Sequence, residues 1–274
     1  MPAKLGTALS LLALLAGLVF LLRLLSRFVA YPGSRVAFPA GERLGPGARI
    51  LDVTTSDGLA LKAAWVSSAV PQAPVVVYFH GNAESAAQNG PLAVLLAAGG
   101  VDAVLAEYRG YGGMPGRPSE TGLVADGAAV LGAVRAAGIP LGRTVFVGRS
   151  LGTGVAVELA RLSPPALLIL ISPYTSFADL GRGLVGPLAP LLTADRFDNL
   201  SKIGTLACPV AILHGTRDEV VPFGMGERLA RAGKDLRFVP LEGRGHNDIP
   251  DLAALLLAEI RRSDSFASGR QRLE

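Results

Sequence analysis

The chain has 274 residues, half of them hydrophobic, and a formal net charge of +4 at pH 7. That length suits one domain of about 220 residues plus an apolar N-terminal segment better than two domains. The charge is spread over dispersed arginines with no basic run among aromatics, which argues against nucleic-acid binding, and the single cysteine, Cys208, rules out an intrachain disulfide.

Residues 5–22 hold no ionisable group and are mostly Leu, Ala and Val, bounded by Lys4 and by Arg23 and Arg27. About eighteen apolar residues reach across a hydrocarbon core as a helix. The stretch runs into Arg23-Leu24-Leu25-Ser26-Arg27, where a cleavable signal would end in small residues. The expectation is an uncleaved single-pass membrane anchor over residues 1–30 and a linker over 31–49, with a cleaved signal or an interfacial helix as the alternatives. The anchor is expected to localise the protein without touching its chemistry. Lys4 and the terminal amine stand against Arg23, Arg27 and Arg35, which leans toward a cytoplasmic domain, whereas a short N-terminal anchor by default exports the domain behind it. The side of the membrane stays open.

Residues 50–53 and 59–65 flank Thr54-Thr55-Ser56-Asp57-Gly58 and read as an antiparallel hairpin at a sheet edge. Beyond it, apolar runs alternate with helical patterns, as in βαβ units of a mostly parallel sheet with helices on both faces. Strands are expected near Val75, Val101, Val145, Leu167, Val210 and Leu236, and helices over 85–98, 122–137, 151–162, 224–232 and 252–261. The domain then covers residues 50–262, and the polar residues 263–274 read as a frayed tail.

The first buried strand ends in His80-Gly81-Asn82-Ala83-Glu84, a turn able to present the backbone amide of Asn82 or of Ala83 to an oxyanion. His80 itself reads as a brace for that turn. Val145-Phe146-Val147 run into Gly148-Arg149-Ser150-Leu151-Gly152, a Gly-x-Ser-x-Gly turn that exposes a serine hydroxyl and offers the Leu151 amide. The Pro- and Gly-rich residues 173–201 fit a short cap. Its Leu180, Leu184, Val185, Leu188, Leu191 and Leu192 either line an acyl groove or pack onto the sheet. The strand at 209–215 leads to Asp218 and the strand at 236–241 to Gly245-His246. Of the three histidines, His80 and His214 close strands, leaving His246 as the base, with Asp218 as its orienting acid and Asp248 as the alternative acid.

Tyr108-Arg109-Gly110-Tyr111-Gly112-Gly113-Met114-Pro115-Gly116-Arg117-Pro118-Ser119-Glu120, with Gly122-Leu123 and Asp126, is similar to the long loop of the Bem46-like group of α/β-hydrolases. His80-Gly81-Asn82, the serine turn, the run from His214 to Pro222 and Gly245-His246-Asn247-Asp248 match the same group, so the resemblance spans residues 50–260. It implies an α/β-hydrolase fold and a serine hydrolase, with Ser150, Asp218 and His246 in the matching positions, and a bracing role for Asp126. The group includes membrane-anchored hydrolases and protein depalmitoylases, and substrate does not carry over. Thr153-Gly154 and Glu84-Ser85-Ala86-Ala87-Gln88 depart from the pattern without touching the triad. No Cys/His cluster has metal-ligand spacing and residues 110–116 lack the Lys-Ser/Thr ending of a phosphate loop, so no cofactor or metal is expected. The expected function is cleavage of a small acyl ester or thioester through an acyl-enzyme. A peptidase of the same fold and a non-catalytic binding protein are the alternatives.

Overall fold

A computed structural model describes residues 2–33, 36–38, 44 and 48–263, with residues 2–8, 28, 29 and 184 described by backbone alone. Much of the expected linker, and the expected tail after Ser263, lie outside the described residues. The first element is α1 (Pro2–Ala30), whose window Leu9–Arg27 has a mean hydropathy of 2.3 and no buried residue. By length and composition it can cross a membrane.

A hairpin comes next: β1 (Ala48–Thr54) and β2 (Ala60–Val66), antiparallel with Thr54 opposite Ala60. It leads to β3 (Val75–Phe79), α2 (Gly90–Ala98), β4 (Asp102–Ala106), α3 (Glu120–Ala136), β5 (Thr144–Arg149), α4 (Leu151–Leu162) and β6 (Leu167–Ile171). The cap consists of α5 (Phe177–Val185), α6 (Ala189–Leu192) and α7 (Asn199–Ile203). The chain closes with β7 (Val210–Gly215), α8 (Phe223–Ala232), β8 (Leu236–Leu241) and α9 (Leu252–Arg262). The sheet has eight strands in the order β1-β2-β4-β3-β5-β6-β7-β8, parallel from β4 to β8 and antiparallel at β1-β2 and β2-β4. This is the expected edge hairpin and parallel core.

β3 and β6 are buried along their whole length, as strands covered on both faces must be, which is why they read as unbroken apolar runs. Their side chains alternate between two cores. Val75, Val77 and Phe79 join α3, α4 and α8 on one face, while Val76 and Tyr78 join α2 and α9 on the other.

One helix differs from expectation. Residues 85–98 form a 3-10 turn, Ala86–Asn89, followed by α2. Pro91 has no N–H to give the Ala87 carbonyl, so the Gly90 amide takes that acceptor in a tighter turn and α-helical bonding restarts after it.

Candidate active site

The chain leaves β3 for β4 on one side and returns to β5 on the other, which opens a crevice at the carboxyl ends of the strands. Phe79 is paired with Gly148, so the turn after β3 and the turn after β5 emerge side by side. Ser150 occupies the second turn at φ 48° and ψ −116°, a region strained for a residue with a side chain. Its N–H donates to the Ile171 carbonyl at 2.9 Å, and its own carbonyl accepts from the Thr153 amide at 2.9 Å and the Thr153 hydroxyl at 2.6 Å. The flanking glycines serve close approach: a Cβ on Gly148 would lie 2.6 Å from the Gly152 carbonyl oxygen, and one on Gly152 would lie 2.6 Å from the Phe79 carbonyl carbon.

His246 Nε2 lies 3.1 Å from the Ser150 hydroxyl, and Nδ1 lies 2.8 Å and 3.0 Å from the Asp218 oxygens. Asp218 also accepts from the amides of Val220 at 3.0 Å and Val221 at 2.7 Å. Burial alone would raise its pKa, but hydrogen bonds from His214, His246 and the Val221 amide hold it well below the usual carboxylate range. An ionised Asp218 accepts from Nδ1–H of His246, and this leaves the Nε2 lone pair facing the serine proton. Asp248, the alternative acid, is exposed and accepts from the Gly245 amide within its own loop. The structure therefore brings together Ser150, His246 and Asp218 and leaves Asp248 out.

On the turn after β3, the amides of Asn82 and Ala83 make no hydrogen bond to another group among the described residues, and neither does the Leu151 amide at the start of α4. His80 braces this turn. Its Nδ1 donates to the Gly81 carbonyl at 2.8 Å and its Nε2 lies 2.9 Å from Glu107, both side chains being fully buried. Glu107 also accepts from the Ala86 and Tyr108 amides. Burial works to lower the His80 pKa, but the bond to Glu107, its charge and the Gly81 carbonyl outweigh this and raise it.

Sequence reasoning missed several partners. Arg149, the residue before the serine, pairs with Glu84 and also donates to the His246 carbonyl at 3.2 Å and Asn247 Oδ1 at 3.0 Å, so it clamps the turn after β3 to the histidine loop. Opposite charges at the ends of two neighbouring strands were the available signal. Arg109 explains Asp126: the buried carboxylate accepts from the Arg109 amide at 2.9 Å and its Nε at 2.8 Å, while the Arg109 guanidinium also bridges to Asp57 at 2.7 Å. That is the bracing of the 108–120 loop implied by the resemblance. Among the described residues, no group of three His, Cys, Asp or Glu side chains could hold a metal ion.

Uncharacterized protein Rv2307c of Mycobacterium tuberculosis is 37% identical to this chain over 244 residues, which cover 86% of this chain and 85% of that one. Alpha/beta hydrolase domain-containing protein 17B of Homo sapiens is 38% identical over 146 residues, 52% of this chain and 49% of that protein. The family profile described as serine aminopeptidase, S33, matches residues 71–196. The chain belongs to the same family as Rv2307c, and its fold is that of the α/β-hydrolases. The fold of this α/β-hydrolase is also that of the Pyrococcus furiosus esterase Pf2001, with a TM-score of 0.68 at 16% identity over 85% of this chain and 99% of the esterase.

Proposed function

We propose that this α/β-hydrolase is a membrane-anchored serine hydrolase that cleaves ester or thioester bonds of acyl substrates. One observation carries the reading: the unbroken hydrogen-bond chain from the Ser150 hydroxyl through His246 to a low-pKa Asp218. His246 Nε2 takes the Ser150 proton as Oγ attacks the acyl carbonyl, and Asp218 stabilises the imidazolium. The Leu151 amide and that of Asn82 or Ala83 hold the oxyanion. The imidazolium then protonates the departing alkoxide or thiolate, leaving an acyl-Ser150. Water, deprotonated by His246, releases the acid and restores the serine.

In this reading residues 1–30 anchor, 31–49 link, 50–262 carry the chemistry and 263–274 trail. Among the apolar cap residues, Leu180 packs on the core, whereas Val185, Leu188 and Leu191 are exposed, and the Leu184 side chain lies outside the described residues. An exposed apolar edge beside a bilayer anchor favours acyl chains as substrates. The matched profile's description, serine aminopeptidase, favours a second reading as a peptidase. Fluorophosphonate labelling of Ser150, followed by kcat/KM on a chain-length series of p-nitrophenyl esters and thioesters beside a peptide amide library, decides between them. Labelling with faster ester turnover supports the proposal. Faster peptide turnover moves the assignment to peptidase, because activated esters are intrinsically easier to acylate from.

A further inference from the structure

The N-terminal helix does not stop short of the site. Asn82 Nδ2 donates to the Ala30 carbonyl at 2.6 Å, and Asn82 Oδ1 accepts from the Tyr111 hydroxyl at 2.5 Å. Ala30 is the last residue of α1, where helix carbonyls have no partner within the helix, and Asn82 supplies one. The helix end is itself fixed to the cap side. Arg27 Nε and Nη2 donate to the two oxygens of Asp195, each at 3.2 Å. The buried Tyr31 donates its hydroxyl to the same carboxylate at 2.9 Å, and its ring centroid lies 6.1 Å from that of Phe177.

We propose that the last turn of α1 is a positioning element of the active site. The Ala30 carbonyl, held against the cap through Arg27, Tyr31 and Asp195, fixes the Asn82 side chain and with it the amide direction of the oxyanion turn. This rests on the serine-hydrolase reading and extends it from the triad to the anchor. An Asn bonded at both ends of its amide cannot rotate, so the backbone that carries it is held as well. Misplacing an oxyanion donor by about 1 Å costs up to about 100-fold in rate, so this link matters to chemistry without touching substrate. It runs counter to the expectation that the anchor stays apart from the chemistry, since Ala30 and Arg27 bond to Asn82 and Asp195 of the domain.

The test uses full-length protein in detergent micelles. Asn82→Asp keeps the acceptor for Tyr111 but sets a carboxylate oxygen against the Ala30 carbonyl. Arg27→Asp sets like charges at Asp195, and the double variant Arg27→Asp with Asp195→Arg restores opposite ones. Both single variants are expected to lower kcat on p-nitrophenyl acetate by about 10- to 100-fold with KM changed less than about twofold. The charge swap should recover most of that kcat. Burst titration counts competent sites, so a variant that only misfolds loses sites and keeps its kcat per site. That result, or wild-type kcat in both single variants, overturns the proposal. A wild-type chain that neither labels with fluorophosphonate nor hydrolyses esters sinks the serine-hydrolase reading and this inference with it. A labelled, active wild type with indifferent variants sinks the inference alone.

Discussion

Ser150 keeps a strained φ because its N–H, its carbonyl and both flanking glycines over-determine the turn, and the strain aims the hydroxyl at His246. Ser150→Ala or His246→Ala is expected to lower kcat by about four to six powers of ten, and Asp218→Asn by about four, if the three act as a unit. Asp248→Asn should leave kcat within about tenfold of wild type, because among the described residues that carboxylate bonds only its own loop. Ester kinetics on purified protein, with Ser150→Ala as the blank, check the set, and an inactive Asp248→Asn beside a normal Asp218→Asn would reverse the choice of acid. The buried His80–Glu107 pair has a different signature. His80 has its pKa raised above the ordinary 6.5, so the stability it contributes is complete below about pH 6.5 and is lost as pH climbs through the raised value. Urea unfolding across pH should therefore show wild-type stability falling on the alkaline side of 6.5. In Glu107→Gln that slope should be absent, and parallel curves would refute the ion pair.

At the level of elements, legibility followed burial. β3 and β6 were readable because double-sided burial leaves runs such as Val75–Phe79 and Leu167–Ile171 unbroken; Ser150 and Asp218 were readable because each comes after such a buried strand, β5 or β7, whereas His246 follows the partly exposed β8 and was reached by elimination among three histidines. The partners that steady them were not. The Glu107–His80, Asn82–Ala30 and Arg149–Glu84 contacts join residues 27, 52 and 65 positions apart, and they depend on strand register and helix docking that no local pattern encodes. The break before α2 was missed for another reason: apolar periodicity carries on through Pro91, while the donor it lacks does not. Register also makes the elbow intolerant. Gly152→Ala would press a methyl against the Phe79 backbone, which cannot swing aside, at a cost of about 1–3 kcal/mol or more. Gly132, on the exposed face of α3, meets nothing within 4 Å, so Gly132→Ala should stabilise by about 0.5–1 kcal/mol. Opposite shifts of the unfolding midpoint in the two variants check the pair.

For the molecule as a whole, the relation of α1 to the cap fixes where the site would meet a bilayer. A 29-residue helix rises about 43 Å, some 13 Å more than a hydrocarbon core of about 30 Å, and if Leu9–Arg27 spans a bilayer the three residues of α1 after Arg27 lie at the interface. α1 packs on α6, and Phe20, Arg23, Leu24, Arg27 and Ala194 line a crevice of about 330 Å³ between the helix and the chain after α6. The cap thus lies level with the end of the span, with Val185, Leu188 and Leu191 exposed on it. Left in water these side chains gain nothing; each one seated among lipid tails contributes up to about 1.5–3 kcal/mol. If acyl chains reach Ser150 from the bilayer, replacing all three with Ser should slow turnover of a long-chain thioester embedded in vesicles by about tenfold or more. Hydrolysis of soluble p-nitrophenyl acetate should hold at the wild-type rate, since none of the three belongs to the catalytic machinery. The full-length protein should also stay with membranes through an alkaline carbonate wash. Equal loss on both substrates would show damage to the cap, and no loss on either would show that substrate comes from the aqueous side.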